Sequence, residues 1–296
     1  MAEAVPAPET EPENVVADPA QEAIDDANDL RGFHFKRLMR KRLTWILTAV
    51  WVVVAAGVTG ALIGPAIGGA VAVVALLLAL LVVFVIADSK AEEAFFEIYA
   101  QQRGMQLSGK GPIPGATPLL RKGDDRYVER MLRGPLADGV DGSVALYTYE
   151  DETTDSEGNR QTNYYRYTIG MSEIPECVSK VPELYAQRKF GFKALEKVED
   201  AFRGKKERVK LESAALDDRY EIFAKEGQDA VWLRQLFSPT FIVWMTDSAP
   251  KKFAFELVDG TLCCYVNGHK ESAEQLDTMR EATAAVSRRL REESLE

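Results

Sequence analysis

Cysteine and histidine are scarce in this chain of 296 residues, which contains three cysteines and two histidines. Three cysteines cannot build the disulfide framework of a small secreted domain, and two histidines leave little for a histidine-rich metal site. Basic residues are outnumbered as well, because 36 lysines and arginines face 46 aspartates and glutamates, which gives a formal net charge of -10. This balance disfavours a strongly basic nucleic-acid-binding protein, so we expect no nucleic acid as a partner.

The first 30 residues contain neither a basic nor an aromatic side chain. Nine acidic residues and four prolines lie in this segment instead. Such a composition cannot bury enough apolar surface to offset the entropy lost on ordering. Residues 1–30 are therefore predicted to form a disordered acidic tail, with a docking peptide for a basic partner as the alternative.

No ionisable side chain occurs in the 45 residues of segment 43–87. One membrane-spanning helix needs about 20 apolar residues, so this run is long enough for two, with Gly64-Pro65 as the break. The sequence predicts two transmembrane helices, at about 43–63 and 66–87. Small residues recur at four-residue spacing here, which predicts close packing of the two helices or self-association. These small residues are Ala56, Gly60, Gly64 and Gly68.

Acidic side chains are absent from residues 31–42, which carry six bases directly before the apolar run. Juxtamembrane bases are attracted to anionic lipid headgroups, and they mark the cytoplasmic flank of a span. We therefore expect a multi-pass protein of the inner (plasma) membrane with both termini in the cytoplasm. The predicted partners are the lipid bilayer and its anionic headgroups, the latter bound through Arg31, Lys36, Arg37, Arg40, Lys41 and Arg42.

Residues 88–296 are predicted to form a cytoplasmic domain that begins with a stalk helix and ends with a helix from about Ser272. Two hairpins are indicated, one over 144–169 and one around the Asp259-Gly260 turn, and a further helix is predicted at about 117–133. Strands and helices without βαβ alternation favour an antiparallel sheet with packed helices. The predicted fold class is thus α+β, with an N-terminal transmembrane helical hairpin before this domain.

No catalytic motif is complete in the sequence. Gly104-x-x-x-x-Gly109-Lys110 matches most of a phosphate-binding P-loop, but Gly111 stands where a magnesium-binding Ser or Thr belongs, and prolines follow. Neither His34 nor His269 has a Cys or His partner at metal-ligand spacing. We therefore predict no catalytic, cofactor-binding or metal-binding residues and no cofactor.

Aromatic residues cluster in the predicted helices near the second hairpin. This cluster is interpreted as the core of a two-helix unit on the sheet, with an exposed partner groove as the alternative. Its members are Trp232, Phe237, Phe241 and Trp244.

The stretch from Leu211 to Val266 resembles a bacterial membrane-anchored domain-of-unknown-function family whose members often carry two adjacent spans before a cytoplasmic domain. The resemblance implies a bacterial origin and an inner-membrane location, and it supplies no activity or active-site residues. The residues that carry it are Arg219-Tyr220-Glu221-Ile222-Phe223, the acidic connection with Glu226 and Asp229, Leu236-Phe237-Ser238-Pro239, Phe253-Ala254-Phe255, Asp259-Gly260 and Leu262.

The clean predicted anchor and the lack of a catalytic signature together favour a two-span integral inner-membrane protein whose cytoplasmic α+β domain serves binding or scaffolding. A protein partner or self-association is expected, and an enzymatic activity is not favoured. Two alternatives remain at this stage, a membrane-tethered enzyme acting on a lipid or a protein and an oligomeric membrane conduit.

Overall fold

The computed structural model describes residues 65–154, 158–189 and 206–295, together with Trp51, Val53 and Val54. The chain divides into two compact units, residues 1–91 and residues 92–296. Helix α1 runs from Pro65 to Gln102 and crosses that division. It ends two residues before Gly104, whose φ of 63° is the left-handed conformation that commonly follows a helix.

The predicted transmembrane hairpin is overturned by the structure. Among the described residues, no helix is both long and apolar enough to cross a membrane. Residues 66–87 lie in helix α1, which continues without a break through the charged residues after position 87, as expected for the stalk helix. Nearly all of the predicted first span, like the acidic tail and the basic strip, lies outside the described residues.

Two further expectations depended on that hairpin. The description of the chain as an integral membrane protein is corrected with it, whereas the oligomeric conduit is not tested by the described residues and stays a prediction. The predicted location and topology are not tested by the described residues and stay predictions.

The second unit is built on one antiparallel sheet of nine strands, with spatial order β1-β2-β3-β4-β9-β8-β5-β7-β6. Neighbouring strands are antiparallel throughout. The strands are β1 (Gln106–Ser108), β2 (Asp125–Ala137), β3 (Val140–Thr154), β4 (Arg160–Glu173), β5 (Glu183–Arg188), β6 (Lys206–Val209), β7 (Tyr220–Lys225), β8 (Ala254–Val258) and β9 (Thr261–Asn267).

Short helices follow the later strands, and polar N-caps begin three of them. The side chains of Ser213, Asp229 and Ser238 each accept a hydrogen bond from a backbone N–H of the first turn. The described helices after α1 are α2 (Ala214–Arg219), α3 (Ala230–Leu236), α4 (Pro239–Val243) and α5 (Ala273–Leu295), with one π-helical turn at Trp244–Ser248 and 3₁₀ turns at Leu119–Arg121 and Pro175–Cys177.

The β8–β9 hairpin closes through Asp259-Gly260, the two turn residues singled out in the sequence. Both residues have positive φ, 46° and 81°, as a two-residue type I′ turn requires. The turn brings Glu256 directly opposite Cys263 and Ala254 opposite Tyr265.

Helix α5 lies against one face of the sheet, which we call the helix face. Its buried stripe includes Leu276, Met279, Val286 and Leu290. A Cβ added at Gly170 of β4 would overlap the Thr283 hydroxyl and lie 2.9 Å from its Cβ. The helix therefore packs directly on the strand backbone, and its buried stripe faces the sheet.

The helix predicted at about 117–133 is wrong. Residues 119–121 form a 3₁₀ turn, and β2 begins at Asp125. Strand β2 pairs with β3 from Asp125↔Glu150 to Ala137↔Val140. Gly134 lies within this strand at φ 151°, where an added Cβ would lie only 3.1 Å from the Met105 Cα.

Candidate functional site

The helix face continues beyond α5 onto the outer part of strands β2, β3 and β4. Tyr127, Thr148 and Arg166 lie directly opposite one another across these strands, and Glu150 and Tyr164 form the next cross-strand pair. Residues directly opposite in an antiparallel sheet share a face. We call this area the distal surface, defined as Tyr127, Thr148, Glu150, Tyr164, Arg166 and the adjoining His269.

Coverage of the helix face changes abruptly along β4. Thr168 is fully buried, and Gly170 lies under α5, whereas Tyr164 is 53% exposed and Arg166 is also exposed. The boundary is fixed by the Thr168 hydroxyl, which donates to the Gly268 carbonyl at 2.9 Å and accepts from the Lys270 N–H at 2.8 Å. The distal surface is therefore the open end of a sheet face that α5 covers further along β4.

A hydrogen bond and a nearby lysine hold the side chains that β2 and β3 contribute to this surface. The Tyr127 hydroxyl donates to Glu150 Oε1 at 2.9 Å, and Lys110 Nζ lies 3.5 Å from the centre of the Tyr127 ring. Desolvation and the hydrogen bond to Glu150 raise the pKa of Tyr127 to about 12, so the phenol remains neutral and a donor. This tyrosine is held in place before any partner arrives.

Arg166 is left available on the same surface. Its guanidinium carbon lies 5.9 Å from the Tyr164 ring centre, and it forms no ion pair with a described residue. Arginine and tyrosine side by side are the residue types that most often contribute large binding energies at protein interfaces. This pair is therefore suited to contact a partner.

His269 borders the surface where the backbone leaves β9. Its Nε2 lies 3.3 Å from the Thr148 hydroxyl and 3.2 Å from the Tyr147 carbonyl oxygen. Burial lowers the pKa of His269, outweighing the opposite effect of its hydrogen bond to that carbonyl, so the ring is neutral at pH 7. Its contacts position the ring, and they supply no metal ligand set.

A second polar cluster lies on the face of the sheet opposite the helix face. It is covered by residues 113–122, and we call this segment the strap. Leu119 and Leu120 of the strap are fully buried in one core cluster with side chains of β3, β4 and β9 on this face. Glu256 of β8 is fully buried too, and its Oε2 accepts a hydrogen bond of 2.9 Å from the Leu119 N–H. The Tyr147 hydroxyl donates to the Leu119 carbonyl at 3.1 Å.

Burial favours the neutral forms of the ionisable side chains in this cluster, Glu256 and Cys263. Desolvation raises the pKa of Glu256, partly offset by the Leu119 N–H and the Thr117 hydroxyl, and it raises the pKa of the Cys263 thiol well above its ordinary range. A thiol that stays protonated is a poor nucleophile. Glu256 is the strongest acid–base candidate of the described residues, yet the strap shields it from solvent.

The residues singled out from the sequence fall in several places. Lys110 contributes to the distal surface, while Gly111 forms an isolated bridge with Val128 in place of a phosphate-binding turn. Trp232, Phe237 and Phe241 are buried, and the Trp232 indole N–H donates to the Glu293 carbonyl at 3.0 Å. These three members of the aromatic cluster are therefore core, and Trp244 is half-buried and stacks on Phe241 with ring centres 5.6 Å apart. In the described ranges, no group of three or more His, Cys, Asp or Glu could hold a metal ion.

Sequence reasoning did not find Glu256 or the distal surface. A usable signal for Glu256 was present, because it is the one charged residue in the run Phe253–Val258. The signal for the distal surface was weaker, an alternation in β4 that separates Tyr164 and Arg166 from Tyr165 and Tyr167.

Known proteins give no guide to the function of these residues, since the chain matches no family model, no curated protein and no solved structure.

Proposed function

We propose that residues 92–295 form a binding domain for another protein, and that the distal surface is where this protein docks. The observation that carries the proposal is the exposure of Tyr164 and Arg166 at the end of a strand whose other half is buried. Exposed aromatic and arginine side chains on a rigid element are typical of recognition sites.

The surface favours a partner segment with acidic and apolar side chains. The Arg166 guanidinium, unpaired among the described residues, would gain a charge-assisted hydrogen bond from a carboxylate. The exposed Tyr164 ring would be covered by an apolar or aromatic side chain. Scaffolding then means holding that partner beside this domain.

An enzymatic role lacks comparable support. The described residue best suited to acid–base chemistry, Glu256, is fully buried and hydrogen-bonded to the strap. A reacting group could not come within hydrogen-bonding distance of this carboxyl while the strap is in place.

A photo-crosslinking experiment tests the proposed interface in the cells that produce the protein. p-Benzoylphenylalanine replaces Tyr164 in the full chain, and a matched control carries it at Val243 in α4, which is equally exposed at 56%. We expect a discrete protein adduct from position 164 that is absent from position 243.

Charge reversal then tests whether the adduct depends on the recognition chemistry. Adding Arg166→Glu to the position-164 probe should reduce the adduct about tenfold, since the lost ion pair and the new repulsion together exceed about 1.4 kcal/mol. Identical adducts from positions 164 and 243, or a yield that Arg166→Glu leaves unchanged, would refute the proposed docking site.

A further inference from the structure

Both backbone groups of a single residue hold the strap to the sheet. The Leu119 N–H donates to Glu256 Oε2 at 2.9 Å, and the Leu119 carbonyl accepts from the Tyr147 hydroxyl at 3.1 Å. The second Glu256 oxygen, Oε1, and the Thr117 hydroxyl oxygen are both buried and have no hydrogen bond of standard geometry to the described residues. Leu119 and Glu256 therefore form the buried part of the attachment, and Arg126 of β2 adds a hydrogen bond of 3.1 Å from its Nη1 to the Arg121 carbonyl.

We propose that Glu256 is a proton-operated latch, which holds the strap down while it is neutral and releases it when it ionises. A proton on Oε1 turns that oxygen into a donor, with the Thr117 hydroxyl as its neighbour. A carboxylate in the same place would carry a fully buried charge that nearby cations offset only in part, because desolvation outweighs them. Moving the strap is the least disruptive way to hydrate it, because β5, β8 and β9 around it are each paired on both sides.

The groups around Glu256 determine the sign of the response. Tyr185 of β5 and Cys263 of β9 lie directly opposite it, and burial raises the pKa of each, so both stay neutral. Lys122 of the strap and Lys206 of β6 favour the ionised form, but their effect is smaller than that of desolvation. Tyr147 and Tyr167, from β3 and β4, are likewise neutral.

The pH window of release follows from linkage. The closed strap raises the pKa of Glu256, whereas an open strap returns it to its ordinary value near 4.5. Opening therefore becomes more favourable as pH rises above that ordinary value, by up to tenfold per pH unit, and levels off above the raised pKa. Release would expose the apolar side chains of Leu119 and Leu120 together with the tyrosines they cover.

Hydrogen exchange of strap amides in the full chain tests the latch. Protection factors, corrected for the intrinsic pH dependence of exchange, are measured by mass spectrometry from pH 5 to pH 9. In the unmodified chain we expect strap protection to fall by up to about tenfold per unit before it levels off, while protection of α5 stays constant. Glu256→Gln, which keeps an acceptor for Leu119 and cannot ionise, should show a flat profile.

Two further variants keep the test decisive if Glu256→Gln folds poorly. Tyr147→Phe weakens the other attachment and should lower strap protection equally at every pH. Lys122→Met removes a cation that favours the carboxylate, and the fall should extend to higher pH. A flat profile in the unmodified chain, an unchanged slope in Glu256→Gln, or a Lys122→Met profile that levels off at lower pH would overturn the proposal.

Discussion

Helix α5 covers one face of the sheet with a 23-residue helix, whereas the strap covers part of the other with a segment whose regular structure is a single 3₁₀ turn. The helix is held by a long buried stripe and by direct contact with strand backbone at Gly170. The strap is held by the two hydrogen bonds of Leu119, by one from Arg126 to the Arg121 carbonyl, and by the buried side chains of Leu119 and Leu120. A 23-residue helix packed along its length resists local opening, while a short segment with little regular structure can open without unfolding the sheet.

Gly170→Ala should be the most damaging change on the helix side. The new Cβ would overlap Thr283, which is fully buried and cannot move into open space. We expect a loss of about 1–3 kcal/mol in the free energy of unfolding, measured by urea denaturation. Gly109→Ala is the matched control, because its Cβ would meet only Arg130 at 3.9 Å. Equal stability of the two variants would contradict the close helix–strand contact.

Glu256→Ala should be comparably damaging on the strap side. It leaves the buried Leu119 N–H without its acceptor, which costs about 1–3 kcal/mol in unfolding free energy. Glu256→Gln retains an acceptor oxygen and should recover most of that loss near neutral pH. Should alanine and glutamine be equally destabilising in chemical denaturation, the hydrogen bond to Leu119 would not be the reason.

The pKa of Asp277 in α5 is shifted in the direction opposite to that of Glu256. Burial alone would raise the pKa of Asp277, but hydrogen bonds from Arg103 and Tyr99 lower it below its ordinary value. A lowered pKa contributes stability that is present above the ordinary value and is lost as pH falls through the lowered one. Asp277→Asn should cost about 1 kcal/mol at pH 7 and flatten the acid side of the stability profile. An acid-side profile unchanged by the substitution would exclude this residue as its source.

Tyr147→Phe removes the hydrogen bond to the Leu119 carbonyl, which we expect to contribute less to stability than the one between Glu256 and the Leu119 N–H. Without the hydroxyl, the Leu119 carbonyl loses the hydrogen bond from residue 147. We expect the free energy of unfolding to fall by about 0.5–1.5 kcal/mol. Tyr164→Phe is the control, since this hydroxyl belongs to an exposed side chain. Thermal denaturation of both variants should separate them, and a larger loss from Tyr164→Phe would be inconsistent with the structure.

Arg166→Ala should affect stability least of all. The side chain is exposed and forms no ion pair with a described residue, so the change in unfolding free energy should stay within about 0.5 kcal/mol. A markedly larger loss in denaturant titration would mean that this residue serves the fold, and it would weaken its assignment to recognition.

Local patterns identified the parts of the fold that local interactions determine. Asp259-Gly260 supplies the positive φ values of a tight turn, and the stripe of α5 has the spacing of a buried helix face. Strand β2 was mistaken for a helix because Pro118 and Gly134 resemble helix boundaries, whereas its strand structure comes from pairing with β3. Strand β3 follows directly through Asp138-Gly139, where Gly139 has a φ of 72°, so a hairpin-turn signal lay beside β2 and was not used.

The candidate site depends on what covers each face of the sheet, and sequence does not state that. Alternation shows that Tyr164 and Arg166 share one face and Tyr165 and Tyr167 the other. Which part of the helix face meets solvent is decided by where α5 begins, at Ala273. Glu256 is similar, since its burial depends on a strap contributed from more than 130 residues earlier in the chain.

Strands β3 and β4 remain in unbroken register from Ser143↔Met171 to Thr154↔Arg160. The side chains that would meet a partner are thus carried on the same two strands that are anchored beneath α5. The backbone of these strands therefore loses little conformational entropy when a partner binds. We expect rigid docking, with nearly identical backbone geometry in the free and bound states.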